Sequence, residues 1–111
     1  MRSTQGGTVK AMIKHVVMWK LKDSAEGAAK AENARTMKAG LEALKNVIPE
    51  IRLLEVGING KEGPDSFDIV LCSEFLNWED LDRYQNHPEH RKLAEFVSKI
   101  RSERRFVDYE I

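Results

Sequence analysis

Met12-Ile13-Lys14-His15-Val16-Val17-Met18-Trp19-Lys20-Leu21-Lys22 is the stretch that decides the fold. Side chains alternate across a strand, so Ile13, His15, Val17, Trp19 and Leu21 share one face. Met12, Lys14, Val16, Met18 and Lys20 share the other. The first face is apolar except for His15; the second is apolar in its middle and charged at its margins. A strand with apolar surface on both sides needs cover on both. A domain of 111 residues has helices enough for one of them. The other cover is expected from a second copy of the chain, which gives a homodimer paired through its sheet faces.

Reading outward, Asp23-Ser24 is expected to cap a helix that reaches about Val47. Ala34, Met37, Leu41, Leu44 and Ile48 form its apolar stripe. Gly40 costs that helix ~1 kcal/mol relative to Ala, which close packing beside Leu41 explains. Pro49 ends it. Ile51 to Ile58 reads as a second strand, Asn59 to Ser66 as a turn, and Phe67 to Leu76 as a third strand antiparallel to the second. Asn77 caps a short helix from Trp78 to about Gln85, with Asp80 placed for a capping box. Pro88 opens another helix, to about Ser102, with Leu93, Phe96, Val97 and Ile100 facing inward; Arg105 to Tyr109 is a last strand. The order β-α-β-β-α-β is the ferredoxin-like α+β pattern. It predicts a four-stranded antiparallel sheet with helices on one face, the second helix being broken at His87-Pro88. Residues 12–111 read as one domain. Residues 1–11 read as a flexible polar extension, and Met12 as a natural alternative start.

Composition narrows the function. Apolar residues make up 41% and charged ones 32%, too apolar for a disordered chain. Eighteen basic residues balance eighteen acidic ones, so neither nucleic acid nor an anionic membrane is favoured as a partner. No apolar run approaches the ~18 residues of a membrane span. Cys72 is alone and cannot form an intrachain disulfide; it reads as a small buried hydrophobe in a cytoplasmic protein.

The candidate chemistry lies in Tyr84-Gln85-Asn86-His87-Pro88-Glu89-His90. Pro88 suits the first position of a helix, where a missing N–H is no loss. His87 then falls near the N-cap and His90 in the first turn. The partial positive charge of a helix start disfavours imidazolium, which leaves His90 neutral near pH 7. A neutral imidazole can act as general base, and the Tyr84 phenol can stabilise a developing enolate. The plain alternative is that His90 caps its helix and Tyr84 is a half-buried core aromatic. A metal site is disfavoured, because Pro88 forces His87 out of the helix and no third ligand is near. His15, alone among apolar neighbours, reads as a hydrogen-bonded core histidine. Asp68 reads as a strand-end charge or a group orienting a histidine. Arg101, Arg104 and Arg105 read as cations suited to a helix end.

The opening Ile-Lys-His strand, the Phe67 to Phe75 strand, the Tyr-x-x-His-Pro-x-His bend and the terminal Phe-Val-Asp-Tyr resemble the stress-responsive dimeric α/β-barrel (Dabb) family over about residues 12 to 111. The resemblance implies two ferredoxin-like monomers whose sheets close a barrel, with a small-molecule pocket in each monomer between sheet and helices. A plant member of the family closes a linear polyketide by a cofactor-free aldol reaction. Its catalytic tyrosine and histidine match Tyr84 and His90, and its first-strand pocket histidine matches His15. Where it has a further pocket histidine this chain has Asp68, a change of charge that speaks against the same substrate. The expected site is therefore Tyr84 and His90 as catalytic pair, with His15, Asp68 and His87 against a small organic ligand and neither metal nor cofactor. Three functions follow from this: a homodimeric binding module, a cofactor-independent cyclase or lyase, and a cofactor-free monooxygenase like others on the same barrel. Nothing in the residues favours the third.

Overall fold

The computed structural model describes residues 12–111; the extension expected over residues 1–11 lies outside the described residues. The first strand, β1 (Ile13–Leu21), alternates buried and partly exposed along its whole length. Its buried set is Ile13, His15, Val17, Trp19 and Leu21, the face expected to meet the helices.

The chain then departs from expectation. Ser24-Ala25 (β2) and Ala28-Ala29 (β3) pair as a miniature hairpin around Glu26-Gly27. Both turn residues have positive φ, 52° and 77°, as a two-residue type I′ turn requires. Helix α1 therefore starts only at Lys30, with Ala29 at its N-cap and no side-chain cap. Asn33, buried near the helix start, ties α1 to the hairpin by donating from Nδ2 to the Ala25 carbonyl at 2.9 Å. α1 (Lys30–Leu44) buries Ala34, Met37, Leu41 and Leu44, the stripe read from the sequence.

β4 (Leu53–Ile58) and β5 (Ile69–Phe75) form the expected antiparallel hairpin. α2 (Trp78–Asn86) is capped by Asn77, whose side chain accepts from the Asp80 N–H at 2.8 Å. The reciprocal half of a capping box is missing, because the Asp80 carboxylate accepts from Arg83 instead, at 2.6 Å. α3 (Pro88–Ile100) runs directly into β6 (Arg101–Glu110) without a loop. Its end is tied to β1: the Lys22 N–H and ammonium donate to the carbonyls of Ile100 and Lys99 at 2.8 and 3.0 Å, satisfying groups a helix end leaves open.

The four long strands form one antiparallel sheet in the order β4-β5-β1-β6. This is the ferredoxin-like α+β architecture, with all three helices against one face. The core between the layers includes Val17, Leu71, Phe75, Met37 and Ile100. Gly40 has the packing explanation expected of it, with α3 as the neighbour. A Cβ there would stand 2.8 Å from Leu93 Cδ1, so the two helices approach through the missing side chain. On the other face β1 leaves Met18 39% exposed and β6 leaves Val107 53% and Tyr109 42% exposed. Among the described residues nothing covers that face. No helix among the described residues is long and apolar enough to cross a membrane.

Candidate active site

The break between α2 and α3 is local chemistry. His87 has extended backbone angles (φ −65°, ψ 137°), as a residue before proline must. Its ring Nδ1 accepts from the Glu89 N–H at 3.1 Å, which makes His87 the N-cap of α3 with Pro88 in the first turn. His90 follows in that turn and is free of capping duty.

Tyr84, from the last turn of α2, and His90 meet across the bend with ring centroids 4.5 Å apart at an interplanar angle of 62°. Tyr84 also packs on Phe75 at 4.9 Å and stands 6.1 Å from the His15 ring. Tyr84, His90 and His15 line one cavity of about 230 Å³ between sheet and helices, walled by Val17, Trp19, Leu71, Leu93 and Val97. This volume suits a small organic molecule: a dry cavity of about 150 Å³ already admits benzene.

Two atoms set this cavity apart from ordinary core. The Tyr84 hydroxyl and His90 Nδ1 are both buried and neither makes a hydrogen bond of normal geometry among the described residues, although the Gln85 backbone lies near enough to the His90 ring to act on it. Leaving such a group unmatched costs about 1–3 kcal/mol, against a typical net stability of about 5–15 kcal/mol. Proteins seldom keep two side by side without a use for them.

His15 lies on the third wall. The Asp108 carboxylate accepts from its Nδ1 at 2.5 Å, which leaves Nε2 as the nitrogen available to a ligand. The β1–β6 register puts His15 opposite Asp108, so the pair is a product of strand alignment. His15 is thus both the hydrogen-bonded core histidine expected and a lining residue.

Burial sets the protonation states. It lowers the His15 pKa below the ordinary 6.5, with Asp108 opposing. It lowers that of His90 as well, helped by His15 and Arg104 and opposed by the Gln85 backbone. Burial pushes the Tyr84 phenol upward. At neutral pH the cavity therefore holds two uncharged imidazoles and a protonated phenol. For His90 the largest of these causes is desolvation.

Two expected members stand elsewhere. His87 does not line the cavity, being consumed in capping α3. Asp68 does not line it either: Oδ2 accepts from the Leu21 N–H at 2.7 Å and lies 3.6 Å from the Lys30 ammonium. It sits by the Leu21 end of β1, roughly 20 Å of strand from His15. Conversely Arg101 and Arg104, read from the sequence as helix-end cations, line the cavity from β6. Once β6 starts at Arg101, the alternation Arg104-Phe106-Asp108 puts all three on the helix side. That period of two was the available signal for Arg104; Arg101 reaches the same side only through the register shift between Lys20 and Leu21, which sets it opposite Leu21. Among the described residues no cluster of three His, Cys, Asp or Glu side chains could hold a metal.

The comparisons agree with this architecture. The family model described as Stress responsive A/B Barrel Domain (Dabb) matches residues 13–111. A dimeric ferredoxin-like protein of unknown function from Bacteroides fragilis is 36% identical over 90% of this chain and 96% of that one, with a TM-score of 0.78. A dimeric ferredoxin-like protein of unknown function from Thermobifida fusca is 18% identical over 92% of both chains, with a TM-score of 0.80. Hydroxynitrile lyase from Passiflora edulis is 18% identical over 93% of this chain and 95% of that one, with a TM-score of 0.75. At 18% identity the last two likenesses concern the fold alone. No protein of curated function is similar enough to match. With the family model spanning both the first strand and the bend, and a relative 36% identical across nearly its whole length, this chain belongs to the stress responsive A/B barrel domain family.

Proposed function

We propose that the protein is a homodimer that binds a small organic carbonyl compound in each subunit and acts on it as a cofactor-independent lyase or cyclase. The unmatched pair of buried atoms, Tyr84 Oη and His90 Nδ1, carries this reading. A base and an oxyanion donor side by side in an apolar cavity are what proton transfer beside a carbonyl requires.

In the forward sense the neutral His90 imidazole takes a proton from the carbon next to the carbonyl. The C–H electron pair moves into a C=C bond and the carbonyl π pair onto oxygen, where the Tyr84 hydroxyl donates to the enolate. Attack of that enolate on a second carbonyl of the same molecule forms the C–C bond, and the imidazolium returns its proton to the new alkoxide. In the cleavage sense His90 takes the proton of a β-hydroxyl and that oxygen becomes a carbonyl as the C–C bond breaks. The C–C pair passes into the enolate of the other carbonyl, whose oxygen accepts from the Tyr84 hydroxyl, and the imidazolium returns its proton to the enolate carbon. Burial favours both starting states, since it keeps His90 unprotonated and Tyr84 protonated. His15, fixed by Asp108, presents Nε2 to orient the substrate.

The homodimer rests on the uncovered sheet face. Val16, Met18, Val70, Cys72, Val107 and Tyr109 share it by register. An apolar patch of several hundred Å² is larger than monomers usually expose. Buried between two copies it contributes on the order of 10 kcal/mol before association costs. The relatives from Bacteroides fragilis and Thermobifida fusca are described as dimeric.

The test is hydrogen exchange at carbon. Acetophenone and 1-phenylpropan-2-one are incubated in D2O with wild type, Tyr84→Phe and His90→Gln, and loss of the α-proton signal is followed by NMR; mandelonitrile cleavage is measured alongside, since a hydroxynitrile lyase shares the fold. Exchange or cleavage above buffer that falls in both variants is the expected result. Activity equal in all three proteins would remove both residues from these roles.

A further inference from the structure

The cavity holds two cations that proton transfer at carbon does not use. Arg101 and Arg104 line it together and both are partly buried. Neither forms an ion pair or donates a side-chain hydrogen bond among the described residues; other cations without a carboxylate, such as Arg35, Lys45 and Arg52, do not line the cavity. The carboxylate that acts on Arg104 is Asp108, and its Oδ1 is already bound to His15. The register sets Arg104 opposite Trp19, and its guanidinium lies over the Phe106 ring, 4.9 Å from the centroid. That contact holds the planar group in place.

Two like charges brought together in a partly desolvated site repel each other, and an anion relieves the repulsion. A guanidinium presents its donors in a planar fork that matches a carboxylate. The same cavity has an independent sign of a ligand in the buried, unpartnered Tyr84 hydroxyl. We infer that the ligand is a small organic carboxylate, its carboxyl group held by Arg101 and Arg104 and its carbonyl end toward Tyr84 and His90. With a volume of about 230 Å³, the cavity fits one ring or a short chain beside that group. The inference rests on the small-molecule reading above and narrows it to oxo or hydroxy acids.

Binding is measured with a pair of probes that cannot react, 3-phenylpropanoate and 3-phenylpropanamide, by calorimetry or NMR titration at fixed ionic strength. Wild type binds the acid at least about tenfold tighter than the amide, the contribution of a charge-assisted hydrogen bond or two. Arg104→Met and Arg101→Met each remove most of that preference and leave amide affinity within about twofold of wild type. Equal affinity of wild type for acid and amide overturns the inference without recourse to any variant. So does a preference that survives in both methionine variants, which would place the acid on another surface. Because neither probe turns over, the result is independent of catalysis. Acid preference without exchange at carbon removes the lyase reading alone, and exchange without acid preference removes this one alone.

Discussion

Tyr84→Phe separates the two costs of an unmatched hydroxyl more cleanly than any other change in the chain. The substitution removes one oxygen and keeps the ring, so the contacts with Phe75 at 4.9 Å and His90 at 4.5 Å remain. Tyr84 is 0% exposed and its hydroxyl has no partner among the described residues. Its removal therefore gives up no hydrogen bond and relieves a desolvation cost of about 1–3 kcal/mol. Stability is expected to stay level or rise by up to about 2 kcal/mol. At ~4 °C per kcal/mol for a domain this size, that is a Tm up to about 8 °C higher. Activity moves the other way, since loss of one oxyanion donor typically lowers kcat by about 10²–10³. The assay is denaturant and thermal unfolding at fixed protein concentration, because a dimer's Tm depends on it, with α-proton exchange measured on the same samples. A variant destabilised by more than about 1 kcal/mol would mean the hydroxyl is bonded in solution. The reading of Tyr84 as a donor held in reserve would then be wrong.

Asp108→Asn weakens a charge-assisted bond to a histidine that is 2% exposed, at an expected cost of about 1–3 kcal/mol. As Asp108 raises the His15 pKa, its loss moves that pKa further down; an upward shift by NMR titration would contradict the assignment. Both His15 and His90 have folded-state pKa values below 6.5, so the unfolded chain binds more protons below that pH. Stability is complete above pH 6.5 and falls as pH drops toward and through the folded values, by at most about 1.4 kcal/mol per pH unit for each histidine. His90→Gln should flatten part of this slope below pH 6.5, and an unchanged slope would contradict a lowered His90 pKa. Val107→Lys together with Met18→Lys places charge in the middle of the uncovered sheet face and should give monomers by sedimentation. Wild type sedimenting as a monomer at micromolar concentration would refute the paired sheets themselves.

How much of this was legible in the sequence varies with the range of the interaction. The architecture rests on local periodicity, and β1 showed it without ambiguity. The start of α1 did not follow the cap rule. Asp23-Ser24 is a good capping sequence, yet the Glu26-Gly27 turn closes a hairpin first and delays the helix to Lys30. The bend was readable because Pro88 constrains both its own φ and the backbone of His87, which fixes where His90 begins its turn. Partners joined across strands were not readable. The Asp108–His15 pair and the entry of Arg101 and Arg104 into the cavity depend on where β6 begins and on its register against β1, and the retreat of Asp68 to the Leu21 N–H depends on the register of β5 against β1. A strand begun at Arg105 instead of Arg101 leaves the first two arginines in a loop, out of the cavity.

The most direct test of the central claim is the imidazole nitrogen spectrum of His90, taken by long-range proton–nitrogen correlation on protein with labelled histidines. The expected spectrum shows a neutral ring at pH 7, titrating below 6.5, with its free nitrogen shifting when a small aryl ketone is added and shifting less in Tyr84→Phe. A ring that titrates near 6.5 and ignores every ketone would place His90 in solvent and leave the cavity without a base.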